Sequence, residues 1–204
     1  MAVTCPIGFD AKRLRSEVSE MYARVAAEPS GDFHFHRGPD YAANLLGYSR
    51  TELAQIPNES TDSFAGVANP FSIHDISPGE TVLDVGCGAG MDLLLAARKV
   101  GPTGLAIGID MTPAMLERAS TSAKQMGLSN VNCREGDAEA LPVDSETVDT
   151  VISNGVLNLT TDKTQAFSEI FRVLCQGGRL QLADIAVETE LSEGIRNDID
   201  LWSS

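Results

Sequence analysis

The stretch "TVLDVGCGAGMD", Thr81 to Asp92, decides how this chain folds. Thr81–Val85 is a short apolar run, Gly86, Gly88 and Gly90 follow at alternate positions, and a helix-forming segment begins at Asp92. A strand that enters a glycine turn and then a helix is the opening unit of a doubly wound sheet. Further short apolar runs follow: "LAIGI", "VNCRE", "TVDTVIS" and "RLQLADI". The spacing predicts helices over Asp92–Val100, Pro113–Met126 and Asp162–Cys175. "VGPTG" and "QGG" close helices with glycine, and Pro113 suits a first helical turn, where its missing N–H costs nothing. Ala166, Phe167, Ile170, Phe171 and Leu174 read as one apolar stripe on the last helix. The fold class is α/β, with a mostly parallel central sheet flanked by helices.

Upstream, residues 1–75 have a different texture and read as an N-terminal helical and loop cap, leaving residues 76–204 as the main domain. A helix is expected over Asp10–Ala27, with Leu14, Val18, Met21 and Val25 at helical spacing. A loop-rich stretch punctuated by Pro29, Gly31, Gly38, Pro39, Pro57 and Pro70 follows.

Charge narrows the partners. The 204 residues carry 29 acidic against 15 basic side chains, a formal charge of −14. Such a surface repels phosphate backbones and anionic lipid, so nucleic acid and membranes are poor partners and a small molecule fits better. Asp10, Glu17, Glu20 and Glu28 do not suit a secretory leader, and Arg98 and Lys99 interrupt "LLLAARKV". A cytoplasmic location is therefore expected. The cysteines at 5, 87, 133 and 175 form no CxxC pair and read as free thiols, with no metal site.

The glycine turn points to a ligand. A dinucleotide fingerprint counted from Gly86 needs glycine at 91, where Met91 stands; counted from Gly88 it needs glycine at 93, where Leu93 stands. The pattern present is D-x-G-x-G-x-G, and its Asp84 repels pyrophosphate but suits an ammonium group. S-adenosylmethionine, with an α-amino group, a sulfonium and no phosphate, meets that requirement. Asp110, at the end of the second strand, can take both ribose hydroxyls; a strand-end aspartate with no ligand is the alternative. Asp137 and Ala138 in "EGDAEALP" would lie beside adenine, or form an ordinary turn. In "VISNGVLNL", Ser153 and Asn154 would face the methionine or sulfonium side and Asn158 the substrate. Alternatively these carboxamides cap local backbone.

"VLDVGCGAGMD", "VGPTGLAIGIDMTPAMLERA", "GDAEALPV", "VISNGVLNL" and "FRVLCQGGRLQLADI" resemble the class I, Rossmann-like S-adenosylmethionine-dependent methyltransferases. Within that group the chain is most similar to the arsenite methyltransferases, through the I-D-M-T-P turn, the I-S-N-x-V-x-N-L motif and, upstream, "GYSRTELAQIP". The resemblance spans roughly residues 41–190. It implies that Asp84, Gly86, Gly88, Asp110, Met111, Asp137, Ser153 and Asn154 line a cofactor site, to which Cys87 and Gly90 belong as parts of the turn. It also implies that Tyr22 closes over that site. Arsenite methyltransferases hold trivalent arsenic with thiolates, as a soft ion requires. Where the resemblance places two of those thiols, this chain has Gly155 and Val67. The expected activity is methyl transfer to carbon, oxygen or nitrogen of a small molecule. The alternatives are a cofactor-binding module without turnover and arsenite methylation despite the missing thiols.

"DFHFHRGPDY" supplies two imidazoles, His34 and His36, either of which could act as a general base. Together with His74 or Asp40 they could instead bind a metal, or Phe33 and Phe35 pack while both histidines stay solvated. Folds of this kind usually add two strands after "GRLQLADI", whereas about twenty residues follow Asp184. The chain thus reads as a fragment of a longer protein with an open sheet edge, across which a homodimer could pair.

Overall fold

The computed structural model describes residues 11–29, 31–33 and 35–186. In chain order the helices are α1 (Ala11–Ala27), α2 (Gly38–Leu45), α3 (Arg50–Leu53), α4 (Asn58–Thr61), α5 (Met91–Val100), α6 (Pro113–Gln125) and α7 (Lys163–Val173). The strands are β1 (Thr81–Val85), β2 (Leu105–Asp110), β3 (Val131–Glu135), β4 (Val148–Asn154) and β5 (Leu174–Ala183). All pair in parallel, in the order β3-β2-β1-β4-β5. The central strands are apolar on consecutive residues because both faces of the sheet are covered. Leu83, Val85, Ile107, Ile109 and Val151 pack against Ala166, Ile170 and Val173 of α7. On the other face Val82 and Ile152 meet Ala96 and Val100 of α5, while Ala106 meets Leu93 of α5 and Leu116 and Ala119 of α6. Neighbours in a strand therefore point to opposite layers, and full burial of each large aliphatic side chain contributes about 1.5–3 kcal/mol.

The expected helix over Asp162–Cys175 ends two residues early. Leu174 is extended (φ −67°, ψ 130°), so Cys175 belongs to β5 rather than to a helix end. The expected stripe on this helix also divides. Ala166, Ile170 and Val173 are buried, whereas Phe167 and Phe171 are 42% and 82% exposed.

The stretch expected to be loops contains three short α-helices and a 3-10 turn over Pro70–Ser72. Four of the residues read as breakers, Gly38, Pro39, Pro57 and Pro70, stand at the starts of these elements, and Ser49 and Asn69 supply side-chain caps. Pro39 lies in the first turn of α2, Ser49 Oγ accepts from Glu52 N at 3.4 Å, and Asn69 Oδ1 accepts from Phe71 N at 3.0 Å. Tyr48, Leu53, Ile56 and Phe64 from this region share a buried cluster with Met91, Leu94 and Leu95 of α5. Gln181 of β5, 1% exposed, donates to the carbonyls of Pro70 (2.8 Å) and His74 (3.0 Å), pinning the 3-10 turn to the sheet. No described helix is long and apolar enough to cross a membrane.

Candidate functional site

In an open parallel sheet the ligand crevice lies beyond the strand carboxyl ends, where the order reverses. Here that point falls between β1 and β4. The ends of β1 to β4 open into a cavity of about 1070 Å³ counted out to its mouth, roofed by Arg15, Val18 and Tyr22 of α1 and walled on one side by residues 63–66.

The glycine turn forms one edge. Gly86 N and Cys87 N both donate to the Ile109 carbonyl, at 2.8 and 2.9 Å, binding the turn to β2. Gly86 has φ +74°, and a Cβ there would come within 2.3 Å of Val156 Cγ2, so no other residue fits. Gly88 also has positive φ (+52°), but a Cβ there would meet nothing within 4 Å: its open side faces the cavity.

Acids at the strand ends form the floor. Asp110 Oδ2 accepts from Gly88 N and Oδ1 from Thr112 N, both at 2.8 Å; burial nonetheless pushes its carboxyl up. Asp137 Oδ1 accepts from Glu139 N at 2.8 Å while Oδ2 lies 3.2 Å from Arg15. Asp84 is 3% exposed and its Oδ2 has no hydrogen-bond partner. Burial first, then the nearby Asp92 and Asp110, hold its carboxyl well above the usual carboxylate range. A buried oxygen without a partner is costly unless something entering the cavity supplies a donor.

Sequence reading missed the group beneath Asp84. Asp92, 5% exposed, accepts from Tyr48 Oη (2.8 Å) on Oδ1 and from Asn154 Nδ2 (3.0 Å) on Oδ2, and burial raises its carboxyl to about 6 against those two bonds. An aspartate in the first turn of a helix is sufficiently explained by the helix dipole, which is why it drew no notice. Tyr48 gave no local signal, since its partners lie 44 and 106 residues away. Arg15 and Glu139 were missed as well. Glu139 Oε1 accepts from Thr161 N (2.7 Å) and Asp162 N (2.9 Å), while Oε2 receives Arg15 at 2.6 Å. Although burial opposes it, these N–H groups and the guanidinium keep the Glu139 carboxyl below its ordinary value.

Of the twelve cofactor candidates, the structure brings eleven to the wall of this one cavity; besides those above, Gly90, Met111 and Ala138 are among them. Tyr22 lines the roof, its hydroxyl pushed up to about 12 by burial and then by Asp110. Ser153 is the exception. It is fully buried and its Oγ donates to the Val85 carbonyl at 3.1 Å. Strand alternation explains this: Ser153 follows Val151 onto the α7 layer, whereas Asn154 follows Ile152 onto the α5 layer, where the cavity lies. Asn154 also clamps backbone. Its Oδ1 accepts from Val67 N (2.8 Å) and Ala68 N (3.3 Å), and its Nδ2 donates to the Ala68 carbonyl (2.8 Å).

The catalytic candidates lie elsewhere. With its amide turned to donate, Asn158 Nδ2 lies 2.8 Å from Asp184 Oδ1 and 3.3 Å from the Gly155 carbonyl, away from the cavity wall. His36 is outside that wall, its ring 5.4 Å from that of Tyr41. His34 lies outside the described residues. His74 Nδ1 contacts the Asp75 carbonyl and Asp40 pairs with Arg50, so neither joins His36. No cluster able to hold a metal occurs among the described residues. Positions 155 and 67 face each other: a Cβ on Gly155 would lie 3.3 Å from Val67 Cγ1.

Residues 76–203 match a methyltransferase domain family. The chain is 40% identical to an arsenite methyltransferase of Halobacterium salinarum over 204 residues, covering 94% of this chain and 52% of that protein. It is 30% identical to the arsenite methyltransferase of Mus musculus over 202 residues, covering 95% and 53%. The crystal structure of an arsenic(III) S-adenosylmethionine methyltransferase from Chlamydomonas reinhardtii superposes with a TM-score of 0.68 at 37% identity, over 74% of this chain and 53% of that one. The chain thus spans about half the length of the relatives it matches. With a parallel sheet whose strand ends open on a glycine turn and converging acids, and with relatives of this kind along nearly its whole length, the chain belongs to the class I S-adenosylmethionine-dependent methyltransferases, as a relative of the arsenite methyltransferases.

Proposed function

We propose that this chain binds S-adenosylmethionine along the strand ends and aligns a small-molecule acceptor for transfer of the methyl group. One observation carries the reading: Asp84, buried at the cavity wall with an unpartnered oxygen, begins a row of acids at the strand ends that continues through Asp110 and Asp137. That floor suits a ligand with a cationic amino-acid end and a hydroxyl-rich nucleoside, and it disfavours a phosphate. Asp84 would take the ammonium group, Asp110 the ribose hydroxyls, and Asp137 with Ala138 the adenine edge, under Tyr22 and Met111. The ammonium would also draw Asp84 back to its ionised form.

The cofactor, when bound, supplies a methyl group already activated by a sulfonium. The protein's own task is alignment and exclusion of water. Val18 and Tyr22 cover the site from above, and the Asn154 clamp holds residues 67 and 68 against the end of β4. No imidazole among the described residues lines the wall, in keeping with a reaction that needs no strong general base. Within residues 1–75, the described segments act as the cap of the domain that follows. Val67 and Gly155, which face each other beside the cavity, present no sulfur, which favours a carbon, oxygen or nitrogen acceptor over a thiophilic ion.

Calorimetric titration with S-adenosylhomocysteine tests the cofactor assignment. Wild type should bind, and Asp110→Ala should bind at least tenfold more weakly, as expected for loss of charge-assisted hydrogen bonds. Unchanged affinity in the variant would remove the ribose assignment. Transfer of labelled methyl to a panel of hydroxyl, amine and carbon acceptors, with arsenite as a separate arm, tests the activity. Turnover only with arsenite would overturn the acceptor assignment. Binding with no transfer to any acceptor would leave a cofactor-binding module.

A further inference from the structure

On the basis of the cofactor reading above, we propose that Asp84 and Asp92 act as one proton-sharing carboxyl pair, so that entry of the ligand's ammonium group expels a proton from the protein, with Asp92 as the positioning member. Both carboxyls are nearly inaccessible, at 3% and 5% exposure, and both line the same cavity. Strand alternation puts Asp84 on the α5 side of the sheet, where Asp92 opens that helix. Their surroundings are unequal. Asp92 has a donor on each oxygen, Tyr48 Oη and Asn154 Nδ2, and so tolerates charge. Asp84 has an oxygen with no partner, and only the Leu93 N–H favours its ionised form.

No described lysine or arginine forms an ion pair with either carboxyl; Arg15, the cation in the cavity wall, is engaged by Asp137 and Glu139. The other titratable groups that bear on Asp84 and Asp92 all oppose a second negative charge or are neutral there: Asp110 of β2, Cys87 of the glycine turn, Cys133 of β3 and Tyr48 of the cap. Two buried acids without a cation cannot both ionise cheaply. Burial raises both carboxyls, and of the two Asp84, with its unpartnered oxygen, has the fewer donors to hold a charge. The proton therefore rests on Asp84 until an ammonium group arrives. The O–H bond then breaks, the proton leaves to solvent, and the carboxylate accepts an N–H from the ligand.

Calorimetry with S-adenosylhomocysteine in phosphate and in Tris at pH 7 reads proton release directly, from the dependence of the heat on the buffer's ionisation enthalpy. Close to one proton per site is expected, and affinity should fall towards tenfold per pH unit as the pH drops from 7 to 5. 5′-Methylthioadenosine, which lacks the amino-acid end, should bind with no release. Asp92→Asn removes one acid of the pair and should lower the release to well under half a proton, while Tyr48→Phe, which keeps both carboxyls, should preserve it. Binding with a buffer-independent heat would overturn the pair yet leave the cofactor reading standing, and equal release on binding methylthioadenosine would do the same. Failure of either nucleoside to bind folded protein would overturn both.

Discussion

The floor and the roof of the cavity are built in different ways. The floor consists of strand ends whose geometry is set by backbone: the turn from Gly86 to Gly90 is fixed by positive φ angles and by two N–H groups on the Ile109 carbonyl. The roof, α1 with the segment around residues 63–68, is held by side chains that reach across the chain, such as Arg15 to Glu139 and Asn154 to residues 67 and 68. A floor of this kind tolerates little change. The roof also rests on apolar packing, Val25 and Ala26 of α1 against Ala89 and Met115 and Phe64 in the cluster with α5, so each polar tie adds only roughly 0.5–3 kcal/mol to its seating.

The sharpest way to break this contrast is Gly86→Ala. The methyl would strike Val156 at 2.3 Å in left-handed backbone. A destabilisation of about 2–5 kcal/mol is expected from the sum of backbone strain and overpacking, read by urea unfolding. A stable, cofactor-binding variant would show that the turn is softer than its geometry states. Gly88→Ala sharpens the comparison, because its Cβ has open space around it. Unfolding should shift by only about 1–2 kcal/mol, while S-adenosylhomocysteine affinity drops at least tenfold because the methyl fills ligand space.

Asp92→Asn addresses the join between floor and cap. The folded Asp92 carboxyl titrates near 6 against an ordinary 3.8, so its acid form suits the fold. Its contribution is intact below about pH 4 and is lost as the pH rises through 6. Relative to wild type the variant should therefore gain stability by up to about 3 kcal/mol between pH 4 and 7, offset by the lost bond from Asn154. Parallel thermal melts across that range check the sign; a constant gap between the two proteins would contradict it. The smallest effect belongs to the roof. Arg15→Gln removes partly exposed ion pairs, so stability should change by about 0.2–1 kcal/mol, while S-adenosylhomocysteine dissociates several-fold faster in stopped flow.

The same contrast describes what was legible in the sequence. The five strands, the glycine turn and the acids at 84, 110 and 137 follow local rules: apolar period, positive-φ turn chemistry and spacing along βαβ units. Ser153 and Asn154 show where local rules stop. Both read as ligand contacts, but period-2 alternation sends one into the α7 layer and the other towards the cavity, a distinction that needs the strand's register. Tyr48 and Asp92 were illegible because the bond between them spans 44 residues and depends on how the cap docks. The short helices from Gly38 to Thr61 were hidden because proline and glycine at their starts resemble loop punctuation.

Glu139 divides its two oxygens between separate tasks: one anchors the start of α7, and the other grips Arg15 from α1. The door and the door frame thus share a hinge plate bolted to the frame. The bonds to Thr161 and Asp162 do not involve Arg15, so the carboxylate is already set in place by α7 before α1 is seated on it.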